Sequence, residues 1–76
     1  MNVEKKFKEI VADIFRVDVK KIKASTKFVE DLKAKSVDII ALVAATESNF
    51  GIKTTIGETR KNKTVGQTIA YIKKKK

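Results

Sequence analysis

Val3, Phe7, Ile10, Val11 and Ile14 fall at helical spacing, with Lys5, Lys6, Lys8 and Glu9 mostly on the opposite side. This stripe predicts an amphipathic helix from about residue 2 to residue 16. From Asp18 to Lys35 the period is lost: Ile22, Phe28, Val29 and Leu32 are the apolar anchors of a long connection, and Ser25 and Thr26 offer turn or capping chemistry. So long a connection in a small domain points to a packed or functional loop. Helical pattern resumes at Ser36, where Val37 and Asp38 lead into an apolar run from Ile39 to Ala45, followed by Glu47 and Phe50. A strand would fit the run alone. Ser36 as N-cap, Asp38 in the first turn and Gly51 after Phe50 instead delimit a helix of about four turns. Its wide apolar arc predicts the most buried helix of the set.

Residues 52 to 63 show weak periodicity and hold at best one short helix. Thr64 and Gln67 then have the spacing of a capping box that opens a last helix, with Val65, Ile69 and Ile72 inside and Tyr71 at the edge. The pattern predicts an all-α fold: a small four-helix bundle of three longer helices and one short third helix, with a long first loop.

Composition narrows the chemistry. The chain has 76 residues, room for one domain over residues 1–76 and no deep cleft between lobes. It contains neither Cys nor His, which excludes disulfides, zinc fingers, thiol nucleophiles and Ser-His triads. No apolar run approaches the ~20 residues that span a bilayer, and the charged N-terminus has no apolar signal segment. The default location is the cytoplasm or an organelle interior after import, and the expectation is a cytoplasmic monomer with no membrane span.

Charge adds a second constraint. Eighteen basic against nine acidic residues give a net charge of +9, which suggests an anionic partner. The distribution qualifies that suggestion, because the stretch from Ser36 to Ile52 has no basic residue and carries only Asp38 and Glu47. The run Lys73 to Lys76 reads as a solvated helix end that complements the C-terminal dipole. A small basic helical module that binds nucleic acid or another polyanion is therefore one reading. Against it, all four Phe residues and Tyr71 fall at core or edge positions, which leaves no stacking platform, and the helix with the clearest bounds has no Lys or Arg.

The one segment with candidate chemistry is Ala34 to Asp38. Local physics alone makes Ser36 an N-cap, and no base is nearby to make it a nucleophile. Its hydroxyl would stand at the positive end of a helix dipole, where an attached anionic phosphodiester is stabilised.

Phe28-Val29-Glu30-Asp31-Leu32, then Ser36-Val37-Asp38, Glu47, Phe50-Gly51-Ile52, Thr64-Val65-Gly66 and Tyr71-Ile72 occur in an order and spacing that resemble acyl carrier proteins of the free-standing bacterial fatty-acid-synthesis type. Val17-Asp18 and Ile22 extend the resemblance into the first loop, so that it covers essentially the whole chain. It implies an acyl-carrier-protein-like bundle and a carrier rather than an enzyme. Ser36 would bear 4′-phosphopantetheine, placed there from coenzyme A by a phosphopantetheinyl transferase. Val37, Asp38, Ala41 and Glu47 would form the surface that docks the transferase and the acyl-handling enzymes of fatty acid or related lipid synthesis. Ile39, Ile40, Leu42, Val43 and Ala44 would line a pocket for the acyl chain.

The chain departs from the family pattern in charge and in core chemistry. Lys35 precedes Ser36 and Val37 follows it, where the family has Asp-Ser-Leu, and Ala41, Ser48 and Asn49 stand where acids are usual. Thr46, Thr54 and Asn62 replace buried aliphatics, which predicts a looser core or a partly open third helix. These departures motivate a further alternative, a carrier-like structural subunit without the prosthetic group.

Overall fold

In the computed structural model, which describes residues 2–75, Asn2 opens α1 (Val3–Phe15) by accepting a hydrogen bond from the Lys5 amide at 3.0 Å. Glu4 in the first turn complements the helix dipole. The helix ends at Arg16, whose left-handed backbone (φ 55) lets its amide and that of Val17 both close on the Ala12 carbonyl. Val3, Phe7, Ile10 and Val11 are buried as the stripe predicts, and α1 packs against both α2 (Ser36–Phe50) and α4 (Val65–Lys75).

The long connection is packed. Asp18 caps a 3-10 turn at Val19–Lys21, and Thr26 and Asp31 accept from the amides of Lys23 and Lys27 at 2.8 Å each. Phe28 is driven into the core, edge-on to Phe7 at 6.3 Å and stacked on Phe15 at 6.4 Å between ring centres. On either side of Phe28 the loop is clasped to the chain before α4. The Phe28 amide donates to Lys63 O at 3.1 Å, and the amides of Val65 and Gly66 donate to Thr26 O and Ala24 O at 2.9 Å. Lys27 and Thr64 form an isolated antiparallel bridge there; no strand occurs among the described residues. Val29 does not anchor the loop as expected: with Phe28 turned inward, its neighbour faces out and is 65% exposed.

The expectation that α2 is the most buried helix also fails. Ile39, Leu42, Thr46 and Phe50 form its inner row, but Val37, Ile40, Ala41 and Ala44 are exposed. An apolar arc wider than the faces that cover it must leave part of itself in solvent, and α1, with three elements around it, is the hub instead. Gly51 ends α2 in the left-handed region (φ 65), which its missing Cβ permits.

α3 (Ile56–Lys61) packs on α2, started by Thr55, whose hydroxyl accepts from the Glu58 amide at 3.1 Å. The third helix is wound rather than open, and of the polar replacements Thr54 has found partners. Thr54 donates to Glu47 through its amide at 2.9 Å and to the Tyr71 hydroxyl through its own at 3.2 Å. Thr46, Thr59 and Thr68 are buried, yet among the described residues no buried side-chain polar atom lacks a hydrogen-bond partner. The capping box at α4 forms as its spacing predicts, with Gln67 N to Thr64 Oγ1 at 3.1 Å and Thr64 N to Gln67 Oε1 at 3.2 Å. Of the basic C-terminal run, Lys73 to Lys75 lie in its last turn, and Lys76 lies outside the described residues.

Phe28→Ala should cost about 3–5 kcal/mol of unfolding free energy, because it opens a cavity between α1 and the loop. Val29→Ala, one residue away, should stay within about 0.5 kcal/mol. Urea titrations of the two variants check both figures.

Candidate functional site

Asp38 decides where α2 begins. As the third residue of the helix it reaches back three positions, and its carboxylate accepts from the Lys35 amide at 2.9 Å. Lys35 therefore occupies the N-cap position in extended geometry, and Ser36 is the first helical residue. Ser36 is not the N-cap expected from its residue type. The Lys35 side chain has no acceptor with which to cap, so the first turn is held only by Asp38 and by the amides of Asp38 and Ile39 closing on Lys35 O. The amides of Ser36 and Val37 precede the first i→i−4 bond and stand at the positive end of the α2 dipole.

The Ser36 side chain is exposed and uncommitted to capping. Arg60 Nη2, from the last turn of α3, lies 3.5 Å from Ser36 Oγ, at the long limit of a hydrogen bond. A guanidinium has no acceptor and takes no proton, so this contact does not activate the hydroxyl. The geometry presents the serine to an outside agent and provides no base of its own.

Ser36 stands on the rim of an open groove of about 630 Å³ between the long loop, the start of α2 and α3. Phe28, Ala34 and Ile39 supply its apolar wall, and Thr59 and Asn62 its far side. Four cations, Lys27, Lys35, Arg60 and Lys63, and one acid, Glu30, also line it. Lys27 is paired with Glu30 at 3.1 Å, and no ion pair among the described residues involves the other three cations.

The residues assigned to an acyl pocket are scattered by the fold. Of the five, Ile39 alone lines this groove. Leu42 is fully buried in the core, and Val43 is half-buried. Ile40, 54% exposed, and Ala44 face solvent, so neither lines the interior: α1 and α3 cover only one side of α2. Ile40 falls three residues after Val37 and Ala44 three after Ala41, and together they complete an exposed apolar face that starts one residue after Ser36. Of the acids assigned to docking, Asp38 is engaged with the Lys35 amide, and half-buried Glu47 ties down the α2–α3 connection through Thr54. Arg60, Thr59 and Phe28 were not foreseen as part of the site. The only signal for Arg60 in the sequence is its place in the basic cluster with Lys61 and Lys63, and nothing local ties that cluster to a serine 24 positions earlier.

The family described as "Phosphopantetheine attachment site" matches residues 5–72. An acyl carrier protein of Buchnera aphidicola subsp. Schizaphis graminum is 40% identical over 74 residues, which cover 97% of this chain and 94% of that relative. That of Akkermansia muciniphila is 40% identical over 73 residues, covering 96% and 91%. That of Helicobacter hepaticus is 37% identical over 76 residues and covers both chains in full. An ordered likeness over nearly the whole length, on a helical bundle of the expected architecture, places the chain in the acyl carrier protein family.

Proposed function

We propose that the chain is one carrier domain over residues 1–76, on which Ser36 bears 4′-phosphopantetheine and through it acyl groups for fatty acid or related lipid synthesis. The observation that carries this reading is the Ser36 hydroxyl itself: exposed, released from capping by Asp38, and set where a helix dipole and the Arg60 guanidinium favour an attached anion. The residues present suit the group, since the phosphodiester would sit among unpaired cations and the arm would leave over an apolar groove wall. When bound, the group supplies the thiol that this Cys-free chain lacks and to which acyl groups are joined as thioesters.

The chain's own residues then orient and shelter. Phe28, Ala34 and Ile39 offer apolar surface beside Ser36 for the arm or the first carbons of an acyl chain. Val37, Ile40, Ala41 and Ala44 form the docking face for a phosphopantetheinyl transferase and for acyl-transferring enzymes, with Asp38 and Glu47 as the only charges on α2. With so few acids, docking rests on apolar contact more than on charge, which slows encounter with basic partner surfaces. Among the described residues no helix is long and apolar enough to cross a membrane. The reading assigns the carrier to the cytoplasm as a monomer.

Intact mass after incubation with coenzyme A, Mg²⁺ and a broad-specificity phosphopantetheinyl transferase should rise by one phosphopantetheine in the native chain and not in Ser36→Ala. The same variant should unfold within about 0.5 kcal/mol of the native chain, because no cap is lost. A loss of about 1 kcal/mol would mean that the hydroxyl caps the helix after all. Lys35→Asp combined with Ala41→Glu should raise transferase kcat/KM on the order of tenfold by restoring steering charge. Unchanged rates would show that charge does not limit docking.

A further inference from the structure

Among the described residues, Arg60 is the cation that the fold brings from a distant element into hydrogen-bond range of the serine. It belongs to α3, 24 positions after Ser36, yet its guanidinium lies 3.5 Å from Ser36 Oγ. Among the described residues no acid pairs with it, and Glu30, the one acid on the groove, is paired with Lys27. Glu58 is two residues away on the same helix, a spacing that does not bring side chains together, and Asp38 is engaged with the Lys35 amide at 2.9 Å. The ion pairs among the described residues are Lys8–Glu4 and Lys27–Glu30, so Arg60, Lys35 and Lys63 carry uncompensated charge on one groove. A neutral hydroxyl does not account for a concentration of positive charge that repels itself. An anion there does.

We propose that Arg60 clasps the phosphodiester carried by Ser36, with Lys35 and Lys63 as supporting charges, and so holds the root of the prosthetic arm against the groove. This rests on the reading of Ser36 as the attachment site. The non-bridging phosphate oxygens lie two bonds beyond Oγ, across the phosphorus, within reach of a guanidinium already 3.5 Å from Oγ. The planar fork of arginine donates to two phosphate oxygens at once, which a lysine at the same place does not. Arg60 is a positioning residue: it fixes where the arm starts and takes no part in acyl chemistry. A held arm favours the sheltered state, and a partner must displace the clasp before the thiol is presented. The contact is solvent-exposed, so its strength is modest and falls with salt.

The test loads the full chain with coenzyme A and a phosphopantetheinyl transferase, confirms loading by intact mass, and then records two nuclear magnetic resonance signals. One is the Arg60 side-chain Nε–H, the other the phosphodiester phosphorus. On loading, the Arg60 signal should move in the native chain. The phosphorus signal should differ between the native chain and Arg60→Ala, with Arg60→Lys between them. Raising salt to about 1 M should bring the native signal to that of Arg60→Ala, as screening removes the contact. The held population should fall about two- to fivefold without Arg60, the size of one exposed charge-assisted contact. A loaded native chain whose Arg60 signal has not moved overturns the clasp and leaves the attachment site standing, and so does a phosphorus signal equal to that of Arg60→Ala. No gain in mass on the folded native chain overturns the attachment site and the clasp together. The native Arg60 signal decides the matter even if a variant fails to fold.

Discussion

The site depends on how the long first loop is pinned. Residues 16 to 35 are costly to order, and on their own they would leave the start of α2 free to wander. Phe28 fixes them from one side by filling the space between Phe7 and Phe15. Three backbone hydrogen bonds fix them from the other, tying Ala24, Thr26 and Phe28 to the segment from Lys63 to Gly66. Gly66 is what lets the two stretches meet: a Cβ there would come within 3.0 Å of Ala24 O and 3.1 Å of Ala24 Cβ. Because that segment directly follows α3, the pin also brings α3 beside the first turn of α2. Ser36 and Arg60 face each other, and the groove exists, as a consequence of this closure.

The parts legible in the sequence are those that local interactions decide. The α1 stripe, the left-handed glycine after Phe50 and the Thr64–Gln67 box each need only a few neighbouring residues, and each is found where its spacing places it. The position of Ser36 at the head of α2 was also legible, but not its state. A serine at a helix start is an N-cap by type, and only the choice of Lys35 by Asp38 moves the boundary one residue and releases the hydroxyl.

What the sequence hid is set by partners far along the chain. The apolar arc of α2 is wide enough to be covered from several directions, and periodicity does not say which direction has a neighbour. Ile40 and Ala44 were therefore assigned to a pocket and stand on the outer face, while Ile39 reaches the groove. The groove itself is assembled from the loop, α2 and the end of α3, so no single stretch of sequence describes it. The net charge of +9 resolves in the same way: around Ser36 the cations gather at the groove, and the α2 face stays free of them. That division suits a carrier, with an anionic group held at the head of a helix whose outer face remains apolar for docking.

Native-state hydrogen exchange of the Phe28, Val65 and Gly66 amides tests the pinning of the loop most directly, with the amides of Phe7 and Val11 as the internal reference for the core. The account predicts that all five open with the same free energy, since the loop cannot leave without emptying the core of Phe28. Opening of the Phe28, Val65 and Gly66 amides at a free energy lower by about 2 kcal/mol or more would show a loop that detaches on its own, and would contradict it.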